Sequence, residues 1–408
     1  MELLRSWNHP DEIWALLKFK LVGCSAINSQ CDLTLMSSDM RTCYEYLRLT
    51  SRSFCAVIMA LDEDLRYAVC IYYLVLRALD TVEDDMTIPV DEKIPLLKAF
   101  HEKLYEPDWH YTQSKEKDRV VLENFNIISS EFRNLAPVFQ SVIADSCREM
   151  GYGMTVFLDA KIDTYDQWDE YCHYVAGLVG IGLSKLFTAS GLENTVVGQD
   201  EAISNSMGLF LQKTNIIRDY YEDILQKRLF WPKQAWIKYG NSLESLKDPR
   251  NLNNAVACLN ELVTDALKHI PDVLTYLSRI RNQSVFNFCA IPQMMAIATL
   301  ERCYNNPHVF RKNVKIRKGA AVRLMDQSTS MLAIRNFMNH FCTKIYNRIP
   351  PIDPNAGRTR TAVSYGIGPG YSLVRSDQSL LPGKTFYFAL FAALLIAPWI
   401  RRAITKMP

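Results

Sequence analysis

The chain has 408 residues, 49% of them hydrophobic, enough for one large domain or for two or three small ones. Its 46 basic and 44 acidic side chains leave a formal charge of +2, which gives no bulk electrostatic support for a nucleic-acid partner. Eleven cysteines, odd in number and without a C-x-x-C pair, and no visible N-terminal signal peptide fit reduced thiols in the cytosol and argue against structural zinc.

Glycine is scarce, apolar residues recur at three and four, and no alternating run is bounded by hairpin turns. The pattern predicts an all-α protein, one helical domain surrounding a central cavity. A first helix is expected from about Ser38 to Leu61, and it contains Ser51-Arg52-Ser53-Phe54. An apolar run then leads into Tyr73-Leu-Val-Leu-Arg77-Ala-Leu-Asp80-Thr-Val-Glu83-Asp84. Tyr73, Arg77, Asp80 and Asp84 fall on one helical stripe, with Glu83 beside it. Carboxylates three and four apart repel, poorly screened in apolar surroundings, so a cation is needed there. Ile94, Leu96, Leu97, Phe100 and Leu104 read as an amphipathic surface helix.

Thr164-Tyr-Asp-Gln167 is a capping box opening the helix that carries Tyr171. Gly177, Gly180 and Gly182 follow inside helical sequence, each costing ~1 kcal/mol against alanine. Either an apolar ligand or a neighbouring helix lies close to that backbone. The acidic device then repeats in Gln212-Lys-Thr-Asn215-Ile-Ile-Arg218-Asp219-Tyr-Tyr-Glu222-Asp223, where Gln212, Asn215, Asp219 and Asp223 share a stripe. Two facing helices of this kind would present hard oxygen ligands, and Mg²⁺ takes one or two carboxylates per ion plus waters and substrate phosphates. The spacing therefore suggests a diphosphate clamped through Mg²⁺ between Asp80, Glu83 and Asp84 on one side and Asp219 and Asp223 on the other.

Val285 to Leu300 is apolar but too short for the ~20 residues of a membrane span, and Asn287, Pro292 and Gln293 interrupt it. It reads as a buried helix lining the pocket, and it carries Phe288. Arg311-Lys312-Asn-Val-Lys315-Ile-Arg317-Lys318-Gly319 is the densest basic run, either solvated surface or a phosphate site. No G-x-G-x-x-G fingerprint exists, so a nicotinamide cofactor would have to share the main pocket. Past Asn347, prolines and glycines predict an irregular tether, 346–383, and an apolar segment at 384–404 predicts a membrane tail anchor with snorkelling Arg401 and Arg402. The catalytic body would be 1–345.

Five stretches together resemble the squalene and phytoene synthase family of head-to-head prenyl synthases, and the squalene-forming members most of all. They are Ser51 to Phe54, Asp80 to Asp84, Tyr171 to Gly180, Gly208 to Asp219 and Phe286 to Gln293. The resemblance spans about residues 1 to 345 and implies the class I isoprenoid synthase fold. It implies that two farnesyl diphosphates condense to presqualene diphosphate, which NADPH reduces to squalene, the first committed step of sterol biosynthesis. Arg52, Arg77 and Arg218, with Ser51, Ser53, Tyr73, Gln212 and Asn215, would hold the substrates, and Lys315 and Arg317 the phosphates of NADPH. Tyr171 would take the proton lost on cyclopropane closure, and Phe54 and Phe288 would face the second cation. A monomeric protein tail-anchored in the endoplasmic reticulum membrane, facing the cytosol, is expected. The rivals are a phytoene synthase without reductant, a class I terpene cyclase, and an inactive membrane-bound assembly factor; the last usually loses motif carboxylates, and here all six remain.

Overall fold

The protein is seen in a computed structural model that describes residues 9–22, 36–62, 64–158 and 160–368. Among the described residues there are helices and turns and no strand, as the apolar periodicity predicts. The main helices are α1 (Pro10–Val22), α2 (Ser38–Thr50), α3 (Arg52–Met59), α4 (Leu65–Asp84), α5 (Val90–Ala99), α6 (Phe125–Asn134), α7 (Pro137–Phe157), α8 (Tyr165–Cys172) and α9 (Leu178–Ala189). They continue with α10 (Glu201–Arg218), α11 (Tyr220–Leu225), α12 (Leu252–Leu267), α13 (Ile270–Arg279), α14 (Gln283–Cys303), α15 (Lys318–Gln327), α16 (Met331–Tyr346) and α17 (Ala356–Ser364).

α10 is the axis of the body and packs against α9, α12, α13 and α14. α4 packs on α2, α6, α7 and α9, so α9 touches both acidic helices. α4 buries Leu65, Val69, Ile71, Leu74, Val75, Leu79 and Val82 along its length. Each such side chain contributes roughly 1.5–3 kcal/mol when fully buried, which fixes the helix in rotation and so fixes where its carboxylates point. α10 is anchored by Lys213, fully buried, which donates to Asp265 at 2.5 Å and lies 4.8 Å from the Trp168 ring centre.

The glycines of α9 are explained by helix packing. A Cβ on Gly180 would stand 2.4 Å from the Ser204 carbonyl oxygen, and one on Gly208 would stand 2.2 Å from that of Ala176. Backbone lies against backbone at this crossing, and only glycine permits it. Between α8 and α9, His173–Gly177 forms a π-helical turn, the kind of irregularity that often marks a functional site. The Thr164 capping box is present, with Gln167 answering the cap.

Three expectations need correction. The helix expected from Ser38 to Leu61 is broken at Ser51, whose extended backbone (φ −155°) and hydroxyl, accepting from Phe54 N, cap α3. The helix begun at Ile94 ends at Ala99, and Phe100–Tyr105 continues as a 3₁₀ turn with Phe100 and Leu104 buried. The irregular tether expected from 346 instead contains α17, whose Thr359 and Val363 are buried against α12 and α16. Thr359 Oγ1 meets Thr264 Oγ1 at 2.7 Å, and Asn260 donates to Asp353 at 2.6 Å. Prolines 350, 351 and 354 there mark a turn between two packed helices, not the start of a free linker. The tail anchor at 384–404 lies outside the described residues.

Candidate active site

The interior holds an apolar cavity of about 310 Å³ between α4, α9, α10 and α14. Its wall includes Phe54, Tyr73, Leu183, Leu211, Phe288 and Gln293. Val285 to Leu300 is the buried, cavity-lining helix that the sequence predicts. Phe288 is held edge-on by Phe187 at 5.9 Å, and Phe54, 39% exposed, sits 6.0 Å from the Tyr73 ring.

At one end the cavity opens into a polar mouth lined by Asp80, Glu83, Asp84, Asp219 and Asp223. Asp80, Val175, Gln212 and Asn215 line both regions, so the acidic mouth and the apolar interior are continuous. The two Asp-x-x-Glu-Asp copies therefore meet as expected, but by unlike local structure. The first is the unbroken end of α4, whereas the second straddles a helix break at Asp219, the residue between α10 and α11.

The electrostatics of the mouth are those of carboxylates crowded out of water. Burial pushes Asp80 up to about 7, with Asp84 and Asp118 adding to the rise against the Arg77 cation. Glu83 is pushed up to about 8 by burial and by Asp84 and Asp80. Asp223 rises to about 7 by burial, against the pull of Arg228. The Asp80 side chain is 31% exposed and lines the mouth. Among the described residues no three acidic, His or Cys groups converge closely enough to hold an ion by themselves. The donor set nonetheless suits Mg²⁺, which takes only one or two carboxylates and completes its shell with water and phosphate oxygens.

Tyr171 lies in the mouth, stacked 5.1 Å from Phe230, with Phe157 edge-on at 5.4 Å. Burial first, then Glu83, Cys172 and Asp84, hold its phenol far above the usual range, with Arg228 opposing. It is a neutral phenol in this setting. Cations are present: Arg77 Nη2 donates to the Tyr73 hydroxyl at 3.3 Å and its Nη1 lies 3.8 Å from Asp80, and Arg218 forks onto its neighbour Asp219 at 2.7 Å. Of Arg52 and Ser53 the structure describes the backbone, in the first turn of α3. Lys315 is exposed, and Arg317 is turned toward Glu12 of α1.

The residue that motif reading missed is Arg228, five positions beyond the second acidic copy. It donates to Asp84 at 2.7 Å and lies near Asp223, joining the two motifs. Its signal was weak: a lone arginine in a connecting loop, placed there because Arg228 N donates to the Asp223 carbonyl at 2.8 Å after the left-handed Lys227 (φ 60°). Asn313 was also missed; it donates from the basic run to Glu222 at 2.5 Å, bringing that run beside the second acidic copy.

Comparison with known proteins agrees with this geometry. The profile of the squalene/phytoene synthase family matches residues 47–320. Human squalene synthase is 58% identical over 364 residues, 89% of this chain and 87% of the relative. Squalene synthase 1 of Arabidopsis thaliana is 48% identical over 86% of this chain and 85% of the relative. A solved structure, described as the complex of TcSQS with the ligand BPH1237, superposes with a TM-score of 0.79 at 45% identity over 81% of this chain and 98% of the other. The chain belongs to the squalene/phytoene synthase family.

Proposed function

We propose that this protein condenses two molecules of farnesyl diphosphate head to head into presqualene diphosphate and then reduces that product with NADPH to squalene. The observation that carries the reading is the continuity between two Asp-x-x-Glu-Asp ends and an apolar cavity. That juxtaposition matches a substrate with an anionic head and a long hydrocarbon tail.

Mg²⁺ bound at Asp80, Glu83, Asp84, Asp219 and Asp223 would offset diphosphate charge as it leaves. Arg77, on the cavity wall, and Arg218, forked onto Asp219, would contribute charge-assisted hydrogen bonds to phosphate oxygens, with Arg52, Ser51 and Ser53 entering from the first turn of α3. Tyr73, Gln212 and Asn215 line the passage from head group to tail. The apolar wall excludes the water that would quench an allylic cation. Phe54 and Phe288 present π faces to that cation. Tyr171 would accept the proton lost on ring closure once ionised, its own proton passing to the released diphosphate, which requires first that the neighbouring carboxylate charge be neutralised. Lys315 and Arg317 would hold phosphates of NADPH, a reading supported by the approach of the basic run to α11 through Asn313. We also place the body on the cytosolic face of the endoplasmic reticulum as a tail-anchored monomer, on the apolar composition of 384–404.

The test is product analysis with labelled farnesyl diphosphate and Mg²⁺. Presqualene diphosphate should accumulate without NADPH and squalene should form with it. Farnesol alone, or a product indifferent to NADPH, would overturn the reading.

A further inference from the structure

A second cavity, about 340 Å³, lies where α1 meets α14, α15 and α16, and Asp11, Glu12, Arg302, Arg317 and Arg323 line it. Glu12 is only 4% exposed, and a buried carboxylate is costly unless paired. Its partner is Arg317, whose Nε donates to Glu12 Oε2 at 2.9 Å and whose Nη2 donates to Oε1 at 2.5 Å. One residue earlier, Asp11 pairs with Arg323, and further along α1 Lys18 donates to Asp326 at 2.7 Å. Gly319 lets α1 approach, since a Cβ there would stand 2.5 Å from Glu12 Cβ. The third guanidinium, Arg302, has a buried Nε with no hydrogen-bond partner. Nearby His340 is pushed down to about 4, chiefly by burial and then by the Lys344 and Arg323 cations, with Asp11 opposing.

Three guanidiniums on one cavity, one of them gripping a carboxylate in a fork, is the arrangement that also binds phosphate. The helix that supplies the carboxylates packs along α15. Trp14, Phe19 and Leu21 of α1 are exposed, while Asp11 and Glu12 face Arg323 and Arg317, so these two pairs are the contacts a competing anion would displace.

We propose that Arg302, Arg317 and Arg323 form a binding site for phosphate groups whose resting occupant is the Asp11–Glu12 pair, so that α1 is an acidic strap competing in cis with a phosphate-bearing ligand. The ligand class is a nucleotide phosphate, and this part rests on the assignment of Arg317 to NADPH. A ligand whose site is open only part of the time binds with an affinity reduced by the open fraction. α1 therefore sets how much NADPH the second half-reaction needs, while leaving condensation untouched.

The experiment compares the full chain with its Asp11→Asn/Glu12→Gln double variant, titrated calorimetrically with adenosine 2′,5′-bisphosphate and with inorganic pyrophosphate. The variant should bind at least one probe about tenfold more tightly. Tightening of the nucleotide, with an equal fall in the KM for NADPH and an unchanged KM for farnesyl diphosphate, supports both the strap and the cofactor assignment. Tightening of pyrophosphate alone, with the KM for NADPH unmoved, keeps the strap and removes the cofactor assignment. Unchanged or weaker binding of both probes, in a variant with parental helical content, overturns the strap. Arg302→Ala, which leaves both ion pairs in place, is the second check: it should weaken probe binding, and an unaltered affinity overturns the three-arginine site.

Discussion

Arg228 donates to Asp84 at 2.7 Å while its Nε lies 3.9 Å from Asp223, so one guanidinium spans the two acidic motifs. Those motifs are 139 positions apart from Asp84 to Asp223 (223 − 84) and sit on different helices. The contact shows that they face one mouth. It also shows what supplies the positive charge that crowded carboxylates require when no metal is bound.

Removing that charge should therefore matter most in chelator. Both partners are two-fifths exposed, so the ion pairs are worth only about 1 kcal/mol. Arg228→Ala should melt lower than the parent in chelator and recover the difference in Mg²⁺. Equal melting temperatures in chelator would show that the guanidinium does not relieve the carboxylates.

Tyr171→Phe should fold normally, because what holds the ring is its stacking on Phe230 and Phe157, which the variant retains. Farnesyl diphosphate affinity should change little, while carbon–carbon bond formation should fall at least about 100-fold, the scale of a lost general base. Presqualene diphosphate made at the parental rate would assign the proton to another acceptor.

Gly208→Ala tests the α9–α10 crossing. The new methyl would meet the Ala176 carbonyl at 2.2 Å, backbone against backbone, and such overpacking costs typically ~1–3 kcal/mol. A lower midpoint in denaturant with an unchanged slope is expected. A variant as stable as the parent would mean that the two helices can separate freely.

His269 sets part of the acid sensitivity. Its Nδ1 lies 2.7 Å from Ser206 Oγ, which donates on to Asp272, so the ring donates and its buried Nε2 is left bare. Burial, with Lys213 and Lys268, pushes it down to about 3 from 6.5. The unfolded chain thus takes up a proton that the folded one refuses, and stability falls as pH drops from 6.5 toward 3. The slope from this group is roughly 1.4 kcal/mol per pH unit. His269→Gln should flatten that stretch of the stability curve, and an unaltered slope would move the effect elsewhere.

Much of this site was written in the sequence because helical periodicity needs no tertiary knowledge. Tyr73, Arg77 and Asp80 line the cavity, and Gln212, Asn215, Asp219 and Asp223 line the mouth, as their spacing indicates. The helix breaks at Ser51 and Asp219 were not legible: a serine or an aspartate reads equally well as a cap or as a polar helical residue until its neighbours are placed. Gly177, Gly180 and Gly182 left ligand and helix as equal candidates, since each demands only that something lie close. The segment after Tyr346 misled by composition, because prolines that shape a tight turn look the same as prolines in a linker. Arg228 and the Glu12–Arg317 fork depend on contacts across 144 and 305 positions, which no local pattern carries.

The two-helix clamp is tested most directly by presqualene diphosphate yield from Asp80→Asn and, separately, Asp219→Asn at saturating Mg²⁺ without NADPH. The amide keeps the shape of the side chain and removes the charge that offsets the cation. The account predicts that each variant keeps parental helical content and loses at least about 100-fold in condensation rate, the ~3 kcal/mol scale of one lost electrostatic contact to the transition state. Parental yield from either variant would contradict it.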